Sequence, residues 1–115
     1  MLLKGDLYGL KEDTIHDLWD IFQSISEIEE VIVFGSRAKG NYMQGSDIDL
    51  AVNGEGVTFN TTLKLMSRIE DLGLLYKIDI QNYRTISNAD MIAHIQRVGK
   101  VFWKRGFFEK HPAAI

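Results

Sequence analysis

The apolar residues of this chain fall into alternating helical and extended patterns. Ile15, Leu18, Trp19, Phe22, Ile25 and Ile28 recur at intervals of mostly three or four residues, the spacing of one helix face. With Asp13 or Thr14 as the cap, they predict a helix over 12–28. Val31-Ile32-Val33-Phe34 is a continuous apolar run rich in β-branched residues, as expected of a strand covered on both faces. Gly35 ends it. Ser36 to Gly40 reads as a short helix with Ser36 near its N-terminus, and the polar, glycine-containing stretch 41–46 as a loop.

Asp47-Ile48-Asp49-Leu50-Ala51-Val52 predicts a second strand, and Asn53-Gly54-Glu55-Gly56 a turn. Leu63, Met66, Ile69 and Leu72 mark a further helix that closes at Gly73. Tyr76 to Gln81 alternates apolar with polar residues and predicts a third strand. Ser87-Asn88-Ala89-Asp90 has the form of a capping box. It opens a last helix through about Val98, with Ile92 and Ile95 on its buried side. Strands alternating with helices in so short a chain predict an α/β (α+β) fold, a small sheet flanked by helices.

Length and composition narrow the reading. The 115 residues suit one domain with a single core, the core falling at about 12–103 and a tail at 104–115. The net charge of −3 argues against direct nucleic-acid binding as the main task. The absence of Cys excludes disulfides and zinc-thiolate sites and fits a reducing cytoplasm. Asp6 interrupts the start too early for a secretory signal, and no stretch approaches the ~20 apolar residues of a membrane span. Phe102 and Trp103 are expected to cap the domain's own core. Phe107 and Phe108, beyond Gly106, are expected to meet a partner or a second copy, as are Tyr42 and Met43. His16, His94 and His111 have no metal-ligand spacing, and His94 reads as a hydrogen-bonding or surface residue.

The chemistry concentrates in Val33 to Val52. In a strand, residues two apart share a face, so Asp47 and Asp49 project together while Ile48 and Leu50 point into the core. Two carboxylates this close repel. A hard, oxygen-preferring cation, Mg²⁺ or Mn²⁺, would relieve them. If the third strand neighbours the second, Asp79 joins them. Three carboxylates can then hold two cations, suited to a phosphoryl or nucleotidyl displacement. Gly35 lets backbone approach a phosphate closely, and the Ser36 hydroxyl adds a donor. Arg37 and Lys39 bring positive charge, the Arg fork being able to grip phosphate oxygens. Alone, each feature is compatible with turn or surface chemistry. Together, no packing requirement assembles them.

Gly35-Ser36, ten residues, then Asp47-Ile48-Asp49 resembles the nucleotidyltransferase signature of the DNA polymerase beta-like superfamily. Gly35-Ser36-Arg37-Ala38-Lys39-Gly40 is similar to the Gly-Ser-Arg-Ala-Arg-Gly form of minimal nucleotidyltransferases, with Lys39 where Arg is common. Lys77-Ile78-Asp79-Ile80 fits the third-Asp strand, and residues 92–99 resemble the closing helix. The resemblance implies a small mixed sheet with helices packed on it. It implies binding of a nucleoside triphosphate with Mg²⁺ and transfer of a nucleoside monophosphate to a hydroxyl, with release of pyrophosphate. By the same carry-over Asp47 and Asp49 ligate both metals. Asp79 ligates the catalytic metal and helps deprotonate the acceptor, and Gly35 and Ser36 hold the β- and γ-phosphates. Arg37 contacts the triphosphate or a partner. Stand-alone members resemble the MntA-type antitoxins, which use ATP to AMPylate a Tyr of a HEPN toxin partner. An aminoglycoside-like small-molecule acceptor, or an antitoxin that neutralises by binding alone, are the alternatives.

Overall fold

The computed structural model of the chain describes residues 7–106. Helix α1 (Glu12–Ser24) is followed by strand β1 (Glu30–Phe34), the short helix α2 (Gly35–Lys39) and strand β2 (Ile48–Asn53). Helix α3 (Phe59–Glu70), strand β3 (Ile78–Asn82), helix α4 (Ala89–Val98) and strand β4 (Lys100–Lys104) complete the chain order. The strands form one mixed sheet in the order β3-β2-β1-β4. The β1 strand runs antiparallel to β2 and to β4, while β2 and β3 are parallel. A parallel pair needs a crossover, and α3 supplies it.

Alternation sorts the side chains onto two faces. Val31, Val33, Ile48, Leu50 and Val52 pack with Ile15, Leu18, Trp19 and Phe22 of α1 and Leu65 and Ile69 of α3. The opposite face carries Phe34 and Ala51 against Ile95 of α4, with Ile32, Met91 and Val98 around them. Asp49 lies between Leu50 and Ile48 in β2 and therefore shares the α4 face. The expected mixed α/β architecture, and the inward direction of Ile48 and Leu50, are borne out.

Several boundaries differ from expectation for physical reasons. The α1 helix starts at Glu12 after Lys11, without a side-chain cap, so Asp13 and Thr14 lie inside its first turn. Glu12 and Asp13 there complement the positive end of the helix dipole. The helix ends at Ser24, yet Ile25 and Ile28 are still buried, as anchors of the following turn. In α3 the buried side is Thr61, Thr62, Leu65 and Ile69, whereas Leu63 and Met66 are exposed. The two threonines tolerate burial because their hydroxyls donate to Glu27 and to the Phe59 carbonyl. Asn88, not Ser87, caps α4 by accepting from the Met91 N–H at 3.0 Å. Asp90 is thereby left in the first turn.

The β4 strand has no counterpart among the predicted strands. Its pairing with β1 slips between Val31 and Ile32, where Val31 meets Trp103 and Ile32 meets Val101. Phe102 is the extra residue of this bulge, so consecutive Phe102 and Trp103 are both buried and period-2 alternation is lost. Their expected role as core residues is borne out: Phe102 meets Tyr8, Trp19 and Phe22 edge-on at 6.0–6.2 Å. Arg105 belongs to this core rather than to a tail. Its guanidinium donates to the carbonyls of Phe22, Ile25 and Ile28 and satisfies orphan acceptors at the end of α1. Phe107, Phe108, His111 and Pro112 lie outside the described residues. Among those described, no helix is long and apolar enough to cross a membrane.

Candidate active site

The end of β1 and the start of β2 build the site. Phe34 pairs with Asp49 across the antiparallel ladder, and Asp49 pairs with Asp79 across the parallel one. Neighbouring strands lie about 4.8 Å apart, so Asp49 and Asp79 stand side by side on the α4 face. Asp47 comes just before β2 and is exposed; it does not line the cleft of Asp49 and Asp79, though its charge acts on Asp49. Gly35 turns the chain out of β1 with φ +72°, and a Cβ placed there would collide with Oδ2 of Asp49. Only glycine satisfies both conditions. The backbone at the Gly-Ser turn therefore touches the acidic cluster, and the half-buried Ser36 follows directly.

These groups open into a cleft of about 430 Å³ lined by Phe34, Gly35, Asp49, Asp79 and, from α4 and its cap, Asn88, Asp90, Met91 and His94. His94 stands edge-on to the Phe34 ring at 6.1 Å. Sequence reasoning made His94 a hydrogen-bonding or surface residue and gave Asn88 and Asp90 only capping roles. Nothing in the motif spacing tells which later helix closes the cleft. The one usable signal is Asn88, whose cap fixes where α4 begins on the face of Asp49.

Asp49 is half-buried, and burial raises its pKa above the ordinary carboxylate range. Asp79 and then Asp47 push it further up, while His94 opposes them. A carboxyl raised in the folded state binds its proton more tightly there than in the unfolded chain. Stability then falls as pH rises from the ordinary carboxylate pKa through the folded one. In chelator-treated protein, Asp49→Asn is expected to remove that fall. It should make the protein slightly more stable at neutral pH, by less than about 1 kcal/mol because the cluster is partly solvated. Urea unfolding of both proteins at pH 4 and pH 7 checks this.

Among the described residues, no three His, Asp or Glu side chains close into a ligand set for a metal ion. The donor chemistry nonetheless fits Mg²⁺ or Mn²⁺. The repulsion by Asp79 and Asp47, which adds to burial in raising Asp49, is what a hard divalent cation relieves.

Arg37, read from the sequence as a triphosphate or partner contact, is 2% exposed and is not among the residues lining the cleft. Its Nε and Nη2 donate to the Ser46 carbonyl at 3.2 and 2.9 Å, and its Nη1 to the Tyr8 carbonyl at 2.9 Å. Tyr42 packs on it while staying partly exposed. Met43, 77% exposed, does stand free. Lys39 is exposed.

A glycine turn held against paired strand carboxylates, on a mixed sheet with a helix closing the cleft, defines a nucleotidyl-transfer scaffold. The chain belongs to the Polymerase beta, Nucleotidyltransferase family, which it matches over residues 16–107. It is similar in structure to a toxin-antitoxin crystal structure with AMP-PNP, at 22% identity and a TM-score of 0.63, covering 91% of this chain and 82% of that one. It is also similar to a structure of tri-AMPylated Shewanella oneidensis HEPN toxin in complex with MNT antitoxin, at 16% identity and a TM-score of 0.59, covering 86% and 76%. A third similar structure is the toxin-antitoxin MntA-HepT, at 16% identity and a TM-score of 0.60, covering 90% and 81%. No curated protein matches the chain.

Proposed function

We propose that this protein transfers AMP from ATP to a tyrosine hydroxyl of a HEPN-type partner toxin in the cytoplasm, and so acts as its antitoxin. The observation that carries the reading is the contact between Gly35 and the Asp49 carboxylate, with Asp79 alongside. It brings a phosphate-approaching backbone within reach of clustered acids. The family match supports nucleotidyl transfer. Resemblance to MNT structures, one with a tri-AMPylated toxin, supports the partner and the nucleotide.

In this reading the turn at Gly35 and Ser36 seats the β- and γ-phosphates through backbone N–H groups and the Ser36 hydroxyl. Asp47, Asp49 and Asp79 would hold the Mg²⁺ ions. Those ions, when bound, supply charge neutralisation at the attacking and leaving oxygens. The acceptor oxygen forms a bond to the α-phosphorus. The bond from that phosphorus to the bridging oxygen breaks, and pyrophosphate leaves with the electron pair. Asp79 takes the hydroxyl proton. Met91 and His94 of α4 form the facing wall of the cleft.

Incubating the chain with Mg²⁺, α-labelled ATP and the purified partner should place label on a partner tyrosine. Label recovered only on small molecules would overturn the proposed acceptor. Asp79→Asn should slow transfer by about a hundredfold or more, the scale of a lost general base, with nucleotide binding retained. Rapid-quench kinetics beside calorimetric binding separates the two, and equal loss of both would give Asp79 a structural role.

A further inference from the structure

Arg37 is the one charged side chain among the described residues that is almost fully buried, and its partners come from three segments. The turn Met43–Ser46 closes with Ser46 N–H donating to the Met43 carbonyl at 3.0 Å. Gly45 takes φ +89° at the position where a type II turn demands it. This turn aims the Ser46 carbonyl at the guanidinium, whose Nε and Nη2 both grip it. Ser46 immediately precedes Asp47. On the other side, Leu7 and Leu10 exchange backbone hydrogen bonds around Tyr8 and Gly9, both in the left-handed region with φ +55° and +74°. That conformation is unfavourable for a tyrosine, and the Tyr8 carbonyl it presents accepts from Nη1. A Cβ on Gly9 would clash with the Tyr42 ring and lie 2.8 Å from Nη1.

The guanidinium plane also has rings beside it. Tyr42 and Tyr76 each place a ring centroid 5.1 Å from its central carbon, within the range of favourable cation–π contact. Tyr76 leads into β3, and the Lys77 carbonyl next to it accepts from Ile48 N–H, between Asp47 and Asp49. One side chain thus joins the helix that carries Ser36, the loop that ends at Asp47 and the lead-in to Asp79. Lysine cannot replace it, since a single ammonium cannot double-bond Ser46, reach Tyr8 and contact both rings at once.

We infer that Arg37 is a positioning residue: a buried clamp that fixes Asp47, and through Tyr76 the start of β3, relative to the Gly35-Ser36 turn, without touching the nucleotide. The metal-site consequence rests on the proposed transfer function; the clamp itself does not.

Two measurements test it. First, the Arg37 Nε–H resonance of nucleotide-free protein should exchange slowly with solvent. It should not move when a non-hydrolysable ATP analogue and Mg²⁺ are added. A shift of that resonance on nucleotide addition would overturn the inference, because the fork would then be meeting phosphate. Second, Mn²⁺ binding is followed by electron paramagnetic resonance at saturating analogue. In Arg37→Lys the half-saturating Mn²⁺ should rise about tenfold, the usual scale for losing a supporting contact behind a metal ligand. The KM for ATP should stay within about twofold.

Gly45→Ala is the companion variant. A Cβ at Gly45 meets nothing within 4 Å, so it disturbs the turn that aims Ser46 and leaves Arg37 and the cleft intact. It should raise the Mn²⁺ requirement in the same way, even if Arg37→Lys does not fold. An unchanged Mn²⁺ requirement in Gly45→Ala would contradict the clamp. A wild-type chain that binds no Mn²⁺ would instead defeat the transfer reading, while the Nε–H resonance would still report on the clamp.

Discussion

Asp49→Asn is expected to lower nucleotide transfer by about a thousandfold or more, which corresponds to losing roughly 4 kcal/mol of transition-state stabilisation. Asp49 is the centre of the acidic cluster. It pairs with Phe34 on one side and Asp79 on the other, and its carboxylate rests against Gly35. The amide keeps the shape of the side chain and removes its charge. The fold should therefore persist, with near-ultraviolet circular dichroism from Trp19 and Trp103 unchanged, since both indoles are buried in the core on the other face of the sheet. A transfer rate within tenfold of the parent protein would count heavily against Asp49 as a metal ligand.

Gly35→Ala is the second large effect. At φ +72° an L-residue costs about 1–2 kcal/mol relative to glycine. The added methyl must also displace the Asp49 carboxylate or the turn itself. Both routes separate the phosphate-seating backbone from the acids. A misplacement on the order of 1 Å costs about a hundredfold in rate, so activity should fall at least that far while the urea midpoint drops only modestly. A Gly35→Ala protein with full activity would show that the contact between turn and carboxylate is incidental. Gly40 is the control. It also has positive φ, at +85°, but a Cβ there meets nothing within 4 Å, so Gly40→Ala should lose stability without the same loss of transfer.

Much of this arrangement was legible in the sequence because it is local. Apolar periodicity placed α1, β1 and β2, and the alternation of Ile48, Asp49 and Leu50 set Asp49 on the face opposite the two aliphatics. The alternation Ile78-Asp79-Ile80 set Asp79 apart from the core. The sequence-level condition was that β3 neighbour β2, and the parallel pairing Asp49–Asp79 meets it. What escaped was non-local. The β4 strand is hidden because a bulge buries adjacent Phe102 and Trp103. The buried face of α3 is not legible from its apolar residues, because Leu63 and Met66 are exposed while Thr61 and Thr62 are buried with their hydroxyls bonded to Glu27 and Phe59.

Arg37 shows the limit most clearly. In the string Gly-Ser-Arg it reads as a cation beside a phosphate site. Its burial depends on Tyr8, Tyr42, Ser46 and Tyr76 converging from separate segments, and no spacing rule records that. The α4 wall escaped for the same reason, since the contact of His94 with Phe34 follows from sheet order rather than from any motif. Tyr42, expected to meet a partner, also packs on Arg37, and both it and Met43 are exposed.

The most direct test of the acidic cluster as a nucleotidyl-transfer site is a crystal structure of the chain with Mn²⁺ and a non-hydrolysable ATP analogue, with the metals located by anomalous scattering. The predicted result is Mn²⁺ among Asp47, Asp49 and Asp79, with the β- and γ-phosphates on the backbone of Gly35 and Ser36. Mn²⁺ peaks away from those three carboxylates, or a triphosphate seated elsewhere on the molecule, would contradict it.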